Sequence, residues 1–252
     1  MEMKEKFGMQ SSQYEFPYHF LVDLKKREFC IGLSWGLDYF NYMNKAIALV
    51  EKYVKRDILD IGCGDGYLLN NLKKSNVLGD DVRAVGMDLD EQPIKFAQAF
   101  SHGIDNLEFI VEDVNNYLET FNLITIVEAL EHIPDDEIQN FVFQIDRLLQ
   151  NGGTLIVSVP SKTVPLNKKH YRHYNIEMLA KYWPNYEILE KFFITNRKSM
   201  WFGFIEKLLC NKKFNLNFSF FKKFLFFING KYFSSVKEDC GAHVVVAFRK
   251  KV

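Results

Sequence analysis

The chain has 252 residues, 48% of them hydrophobic and 25% charged, with 32 basic side chains against 32 acidic ones. That length and apolar content supply a core and exclude a disordered chain. The balanced charge counts against a nucleic-acid binder, and four cysteines at 30, 63, 210 and 240, with no C-x-x-C spacing, exclude a cysteine-rich zinc module.

Residues 1–6 alternate charge without an apolar run, so no secretory signal is read, and the Phe-rich stretch 224–228 is too short to span a bilayer. A cytoplasmic location is expected. From 191 to 252 there are 13 Lys/Arg against 3 Asp/Glu, an excess that residues 1–190 balance. Either an anionic partner meets this basic part, or its lysines keep a Phe-rich surface in solution.

Residues 1–45 hold irregularly spaced aromatics, among them Tyr14, Tyr18, Trp35 and Tyr39, and read as an extension before the first strand. Residues 43–55 predict a helix, with Ala46, Ile47, Leu49, Val50 and Val54 on one stripe. An apolar strand beginning at Asp57 then runs into Gly62, Gly64 and Gly66, and a helix starts at Tyr67 with leucines at 68, 69 and 72. Glycines at such a strand-to-helix turn let a ligand approach the main chain, beside N–H groups with no partner inside the helix.

Further strands are predicted at 81–88, 107–111, 121–127, 154–159, 186–195 and 242–248. Helices are predicted from Pro93 to about 101, over 134–150 and over 176–182. Strands that are almost continuously apolar and alternate with helices mean a parallel sheet covered on both faces, in one domain with a core over 46–195. The stretch 196–241 before the last strand (242–252) is too long for a turn. It admits three readings: a helical cap on the substrate pocket, a homodimer contact, or a basic amphipathic surface on anionic membrane.

Asp60-Ile61-Gly62-Cys63-Gly64-Asp65-Gly66, the acid Asp88 ending strand two, Glu112-Asp113-Val114, the run from Ile126 to Pro134 and Leu148 to Leu155 follow one another in register. Through these motifs the chain resembles class I S-adenosylmethionine-dependent methyltransferases of the small-molecule type. The resemblance implies a Rossmann-like, doubly wound α/β fold, with seven strands, mostly parallel, an antiparallel last strand and a helical insertion before it. It also implies a cofactor site of Asp60, Gly62, Cys63, Gly64, Gly66, Tyr67, Asp88, Leu89, Asp113, Val114 and Glu128. Asp88 suits the ribose diol, as an acid about 20 residues past a glycine loop does. A dinucleotide would call for G-x-G-x-x-G, and here the third glycine comes one residue early.

For catalysis, His132 just beyond strand four is the expected general base on a hydroxyl acceptor, with Glu128 and His173 beside it. A divalent ion held by Glu128, Glu131, His132 and His170 or His173 is the competing reading. That set is similar to the metal site of small-RNA 3′-terminal 2′-O-methyltransferases and of some quinone-precursor O-methyltransferases. His170, Tyr171 and Arg172 offer contacts to an anionic acceptor, and Tyr18, His19 and Trp35 offer a lid. The reaction expected is O-methylation of a small polar acceptor, with a phosphorylated or nucleotide-linked cell-envelope sugar preferred. The rivals are a metal-dependent RNA 2′-O-methyltransferase and a non-catalytic cofactor-binding module.

Overall fold

The computed structural model describes Lys6, Gly8, residues 22–23, 28–29, 33–200, 204, 210–211, 214–215 and 219–252. Seven strands form one sheet: β1 (Asp57–Ile61), β2 (Arg83–Asp88), β3 (Leu107–Val111), β4 (Phe121–Val127), β5 (Leu149–Pro160), β6 (Tyr186–Asn196) and β7 (Gly241–Lys250). Their order is β3-β2-β1-β4-β5-β7-β6, parallel except for β7, which runs antiparallel between β5 and β6. The helices are α1 (Leu33–Tyr53), α2 (Tyr67–Lys74), α3 (Glu91–Phe100), α4 (Ile138–Leu148), α5 (Ile176–Tyr182) and α6 (Ser219–Tyr232).

Successive strand residues point to opposite faces, so each central strand feeds two cores. Leu59, Val85, Ile124, Ile126 and Val157 pack under Phe141, Ile145 and Leu148 of α4 and Leu179 of α5. Ile58, Ala84, Leu123, Ile156 and Val245 pack under Leu49 and Val50 of α1, Leu69 and Leu72 of α2 and Ile94 of α3. Burial on both sides leaves the strands nearly continuously apolar.

Three boundaries differ from the sequence reading, each for a local reason. Helix α1 starts at Leu33 rather than 43. Its first turns bury polar Asp38 and Asn41 along with Leu37 and Tyr42, which breaks the apolar period. Helix α4 starts at Ile138 rather than 134, because Glu137 and Ile138 donate to the Pro134 carbonyl in a separate turn. Strand β5 begins at Leu149 rather than 154, as Leu149 pairs with Phe121 across an irregularity where Gly152 has φ 73°. Of the insertion, α6 and a short ladder, Cys210–Asn211 against Phe214–Asn215, are described.

The order reverses between β1 and β4. In open α/β sheets that is where the carboxyl ends of the strands leave a crevice.

Candidate active site

A cavity of about 620 Å³ opens there, lined by the glycine loop, the ends of β2 and β4, α1 and the loop after β5. Gly62, Gly64 and Gly66 all have positive φ, at 70°, 55° and 71°. A Cβ on Gly66 would sit 2.5 Å from the Phe109 ring and 2.8 Å from Ala97, so the loop turns tightly into α2. Gly64 N–H donates to Asp88 Oδ2 at 3.0 Å, and Asp90 N–H donates to Asp88 Oδ1 at 3.0 Å. Each Asp88 oxygen thus keeps a lone pair for a diol at the cavity rim. Burial pushes its carboxyl above the ordinary range, against these hydrogen bonds.

Asp60 is fully enclosed beneath the loop and accepts the Thr125 hydroxyl at 2.6 Å. Burial pushes its carboxyl up to about 7. Cys63 is buried, with its thiol pushed up for the same reason. Asp113 spends Oδ1 on Asn115, at 2.8 Å to the backbone and 2.7 Å to the side chain, while Val114 packs beside it. Tyr67 and Leu89 stand exposed at the rim.

On the other side, a 3₁₀ turn at Leu130–His132 follows β4. The loop after β5 folds over it: Tyr171 N–H donates to the Glu131 carbonyl at 2.9 Å, and the buried Tyr174 hydroxyl donates to the Leu130 carbonyl at 3.1 Å. These bonds bring His170 to within 4.8 Å of Glu131 and His132, measured between side-chain atoms able to bind a metal. His132 Nδ1 is 3.2 Å from the Lys169 carbonyl, so that nitrogen carries the proton and Nε2 presents a lone pair. His173 Nδ1 likewise faces the Val164 carbonyl at 3.2 Å, and its Nε2 accepts from His170 Nδ1 at 2.9 Å. That chain leaves His170 Nε2 unprotonated.

Burial, helped by the Lys169 charge, lowers His132 to about 4. Burial and the neighbouring His132 and His173 lower His170 to about 3. Both rings are therefore neutral at pH 7. Burial, and then the Glu128 charge, pushes the Glu131 carboxyl well above its ordinary range. Among the described residues its Oε2 has no hydrogen-bond partner. Burial lowers the Lys169 ammonium, while Glu131 and Glu128 oppose that shift.

Glu128 departs from the expected cluster. It has φ 52°, accepts the Ser158 hydroxyl at 2.6 Å, and faces His243 Nδ1 at 3.1 Å from β7. Burial disfavours both charges, yet the pairing prevails: Glu128 is held below and His243 above its ordinary value. Asp38 accepts the Thr195 hydroxyl at 2.6 Å and pairs with Arg197 at the same end of the cavity.

The structure thus gathers Glu131, His132 and His170, backs them with His173, and separates Glu128 into an ion pair. It does not bring Tyr171 or Arg172 into the cavity lining. Arg172 turns out to Asp135 at 2.7 Å and to the Tyr174 hydroxyl at 3.2 Å. Tyr18 and His19 lie outside the described residues, as does the side chain of Trp35 on α1. His243, Asp38 and Arg197 escaped the sequence reading, whereas Lys169 lies in the basic loop that it marked for substrate contacts. A histidine between Ala242 and Val244 in an apolar strand was the one available signal, since its partner is 115 residues away.

The lining is acidic. Among the described residues of the lining, Asp38 and Glu128 are paired with Arg197 and His243, and burial disfavours charge on Asp60 and Glu131, which leaves Asp65, Asp88, Glu112, Asp113 and Glu137 against Lys169. Such a wall suits a cationic ligand and repels a pyrophosphate.

A family model described as a methyltransferase domain matches residues 54–202, from the residues before β1 to beyond the end of β6. The chain belongs to the methyltransferase domain family. A ubiquinone biosynthesis O-methyltransferase of Photorhabdus laumondii is 31% identical over 120 residues, covering 45% of each chain. One of Aliivibrio fischeri strain MJ11 is 27% identical over 159 residues, covering 57% of this chain and 64% of its own length. This methyltransferase therefore spans only 45% to 64% of the length of these relatives. In fold it is similar to the N-methyltransferase NodS of Bradyrhizobium japonicum in complex with S-adenosyl-L-homocysteine. The TM-score is 0.57 at 13% identity, covering 85% of this chain and 87% of that one. It is also similar to TehB of Haemophilus influenzae, with TM-score 0.57 at 16% identity, covering 82% and 62%. The seven-stranded sheet with its antiparallel β7 is the class I methyltransferase arrangement expected from the motifs.

Proposed function

We propose that this methyltransferase moves the methyl group of S-adenosylmethionine to a hydroxyl of a small, uncharged polar acceptor carrying a second oxygen beside it, as a sugar diol or a catechol does. The observation that carries this reading is the cluster of Glu131, His132 and His170 at the mouth of an acidic cavity. The cofactor fits the residues present. Asp88 offers two acceptors to a ribose diol, the glycine loop admits close approach, and the carboxylate-rich wall favours a sulfonium.

Methyl transfer from a sulfonium is an in-line displacement, so the chain's task is to align the acceptor and remove its proton. His132 is built for the second part: its Nδ1–H is fixed on the Lys169 carbonyl and its neutral Nε2 can accept a proton. The Glu128–His243 pair rigidifies the wall between β4 and β7. Oxygen is preferred over nitrogen because paired hydroxyl oxygens match the Glu131, His132 and His170 cluster, whether it acts as a base or holds an ion. The names of the curated relatives, O-methyltransferases, support that preference.

A divalent ion fits the same residues, with a ligand set narrower than the sequence suggested. Glu131 has an unpartnered buried oxygen, and His132 and His170 present neutral nitrogens whose opposite N–H groups are anchored. Glu131, His132 and His170 would hold the ion, with His173 orienting His170 from behind. When bound, it would polarise the acceptor oxygens and lower the cost of losing the proton. The acidic lining weighs against the phosphorylated or nucleotide-linked sugar preferred on sequence alone.

The test is turnover of labelled S-adenosylmethionine with a panel of diols, catechols, amines and RNA. His132→Ala should lose about 100-fold or more in turnover while keeping cofactor affinity; full turnover would overturn the base assignment. Loss of turnover on chelation would make His132 Nε2 a ligand of the ion instead of the base, and insensitivity to chelation would remove the ion and leave His132 as the base. Methylation confined to RNA, with affinity falling steeply as salt rises, would favour the RNA reading.

A further inference from the structure

Helix α6, with the sequence Ser-Phe-Phe-Lys-Lys-Phe-Leu-Phe-Phe-Ile-Asn-Gly-Lys-Tyr, buries a polar side chain and leaves aromatic ones exposed. Asn229 is 1% exposed and donates to the Leu37 carbonyl of α1 at 3.4 Å, and Phe226 packs edge-on against Phe40 at 4.9 Å. The opposite side carries Phe220, Phe224 and Phe227, at 82, 50 and 60% exposure and at i, i+4, i+7 spacing. Lys223 and Lys231 are exposed on the same side, and Lys231 Nζ stands 5.7 Å from the Phe227 ring centre.

Three phenylalanines in water cost free energy that a soluble surface has no reason to accept. We propose that this face of α6 is a docking surface for an anionic lipid bilayer, on which the helix lies flat. Its phenylalanines would enter the acyl boundary while Lys223 and Lys231 meet the head groups. Charge selects this occupant. The helix contains no acidic residue, and residues 191–252 hold 13 basic side chains against 3 acidic ones. A second copy docking face to face would set lysines against lysines. No helix among the described residues is long and apolar enough to cross a membrane, so the mode is peripheral. Through Leu37 and Phe40, α6 braces the turn of α1 that carries Asp38 and Tyr39 on the cavity wall, so a docked bilayer would lie beside the active site.

The experiment is flotation of the full chain with vesicles of phosphatidylcholine alone or mixed with phosphatidylglycerol. Binding is expected to the mixed vesicles only, weakening as salt rises. The triple variant Phe220→Ser, Phe224→Ser, Phe227→Ser should lose about tenfold or more in partitioning, and Lys223→Glu with Lys231→Glu should lose a similar share. Unchanged affinity for S-adenosyl-L-homocysteine would show that the variants remain folded. Three results would overturn the proposal: no flotation of the wild-type chain, equal flotation of the Phe variant, or a lipid-independent dimer in light scattering that the Phe variant abolishes.

Discussion

His132, His170 and His243 lie around one cavity and are driven to opposite charge states by their neighbours. Burial holds His132 and His170 neutral to about 4 and about 3, whereas Glu128 holds His243 protonated above the usual imidazole range. For the first two, the unfolded chain takes up protons near pH 6.5 while the folded chain resists. Their contribution to stability is therefore retained above that pH and lost as pH falls toward 4. For His243 the sign reverses: its contribution is complete below pH 6.5 and lost as pH rises through the elevated folded value. NMR titration of the imidazole protons should show two rings silent from pH 8 to 5.5 and one titrating above 6.5. Three rings titrating together near 6.5 would contradict these environments. At Asp88, substitution by Ala should weaken cofactor binding in calorimetry by about 1–3 kcal/mol, the range for a lost charged hydrogen-bond acceptor. The acid's place at the end of β2 was legible from its distance past the glycines. The partition of Glu128 from Glu131 was not, because it depends on a β5–β7–β6 register that no local pattern encodes.

Among the elements, the turn between β1 and α2 is the most sharply determined. Gly66 combines positive φ with ring contact to Phe109, so Gly66→Ala should cost about 2–4 kcal/mol from overpacking and left-handed strain together. A urea transition shifted to lower concentration with an unchanged slope would check it. Strands β1, β2, β4 and β5 could be read because each is buried on both faces and ends at a glycine, an acid or a proline. The edge strands β3 and β6 are partly exposed, and the antiparallel direction of β7 came from the motif resemblance. Helix α1 could be read only in part, since Asp38 is buried for the sake of Thr195 and Arg197, more than 150 residues away. The loop after β5 was visible as a run of lysines, histidines and tyrosines. Which of its side chains turn inward is decided by the Tyr171 and Tyr174 hydrogen bonds, and these send His170 and His173 in and Arg172 out.

At the scale of the whole molecule, charge is sorted by task. The cavity lining concentrates carboxylates, and Lys223 and Lys231 stand exposed on an aromatic helix within a C-terminal part that holds 13 basic residues against 3 acidic ones. The net charge of zero is the sum of a basic C-terminal part and an acidic remainder. The central claim is that the chamber receives S-adenosylmethionine, and calorimetric titration with its demethylated product, S-adenosyl-L-homocysteine, tests it most directly. The expected result is one saturable site, weakened by Asp88→Ala, with no heat from a nicotinamide dinucleotide. Absence of binding, or binding indifferent to Asp88, would contradict the account.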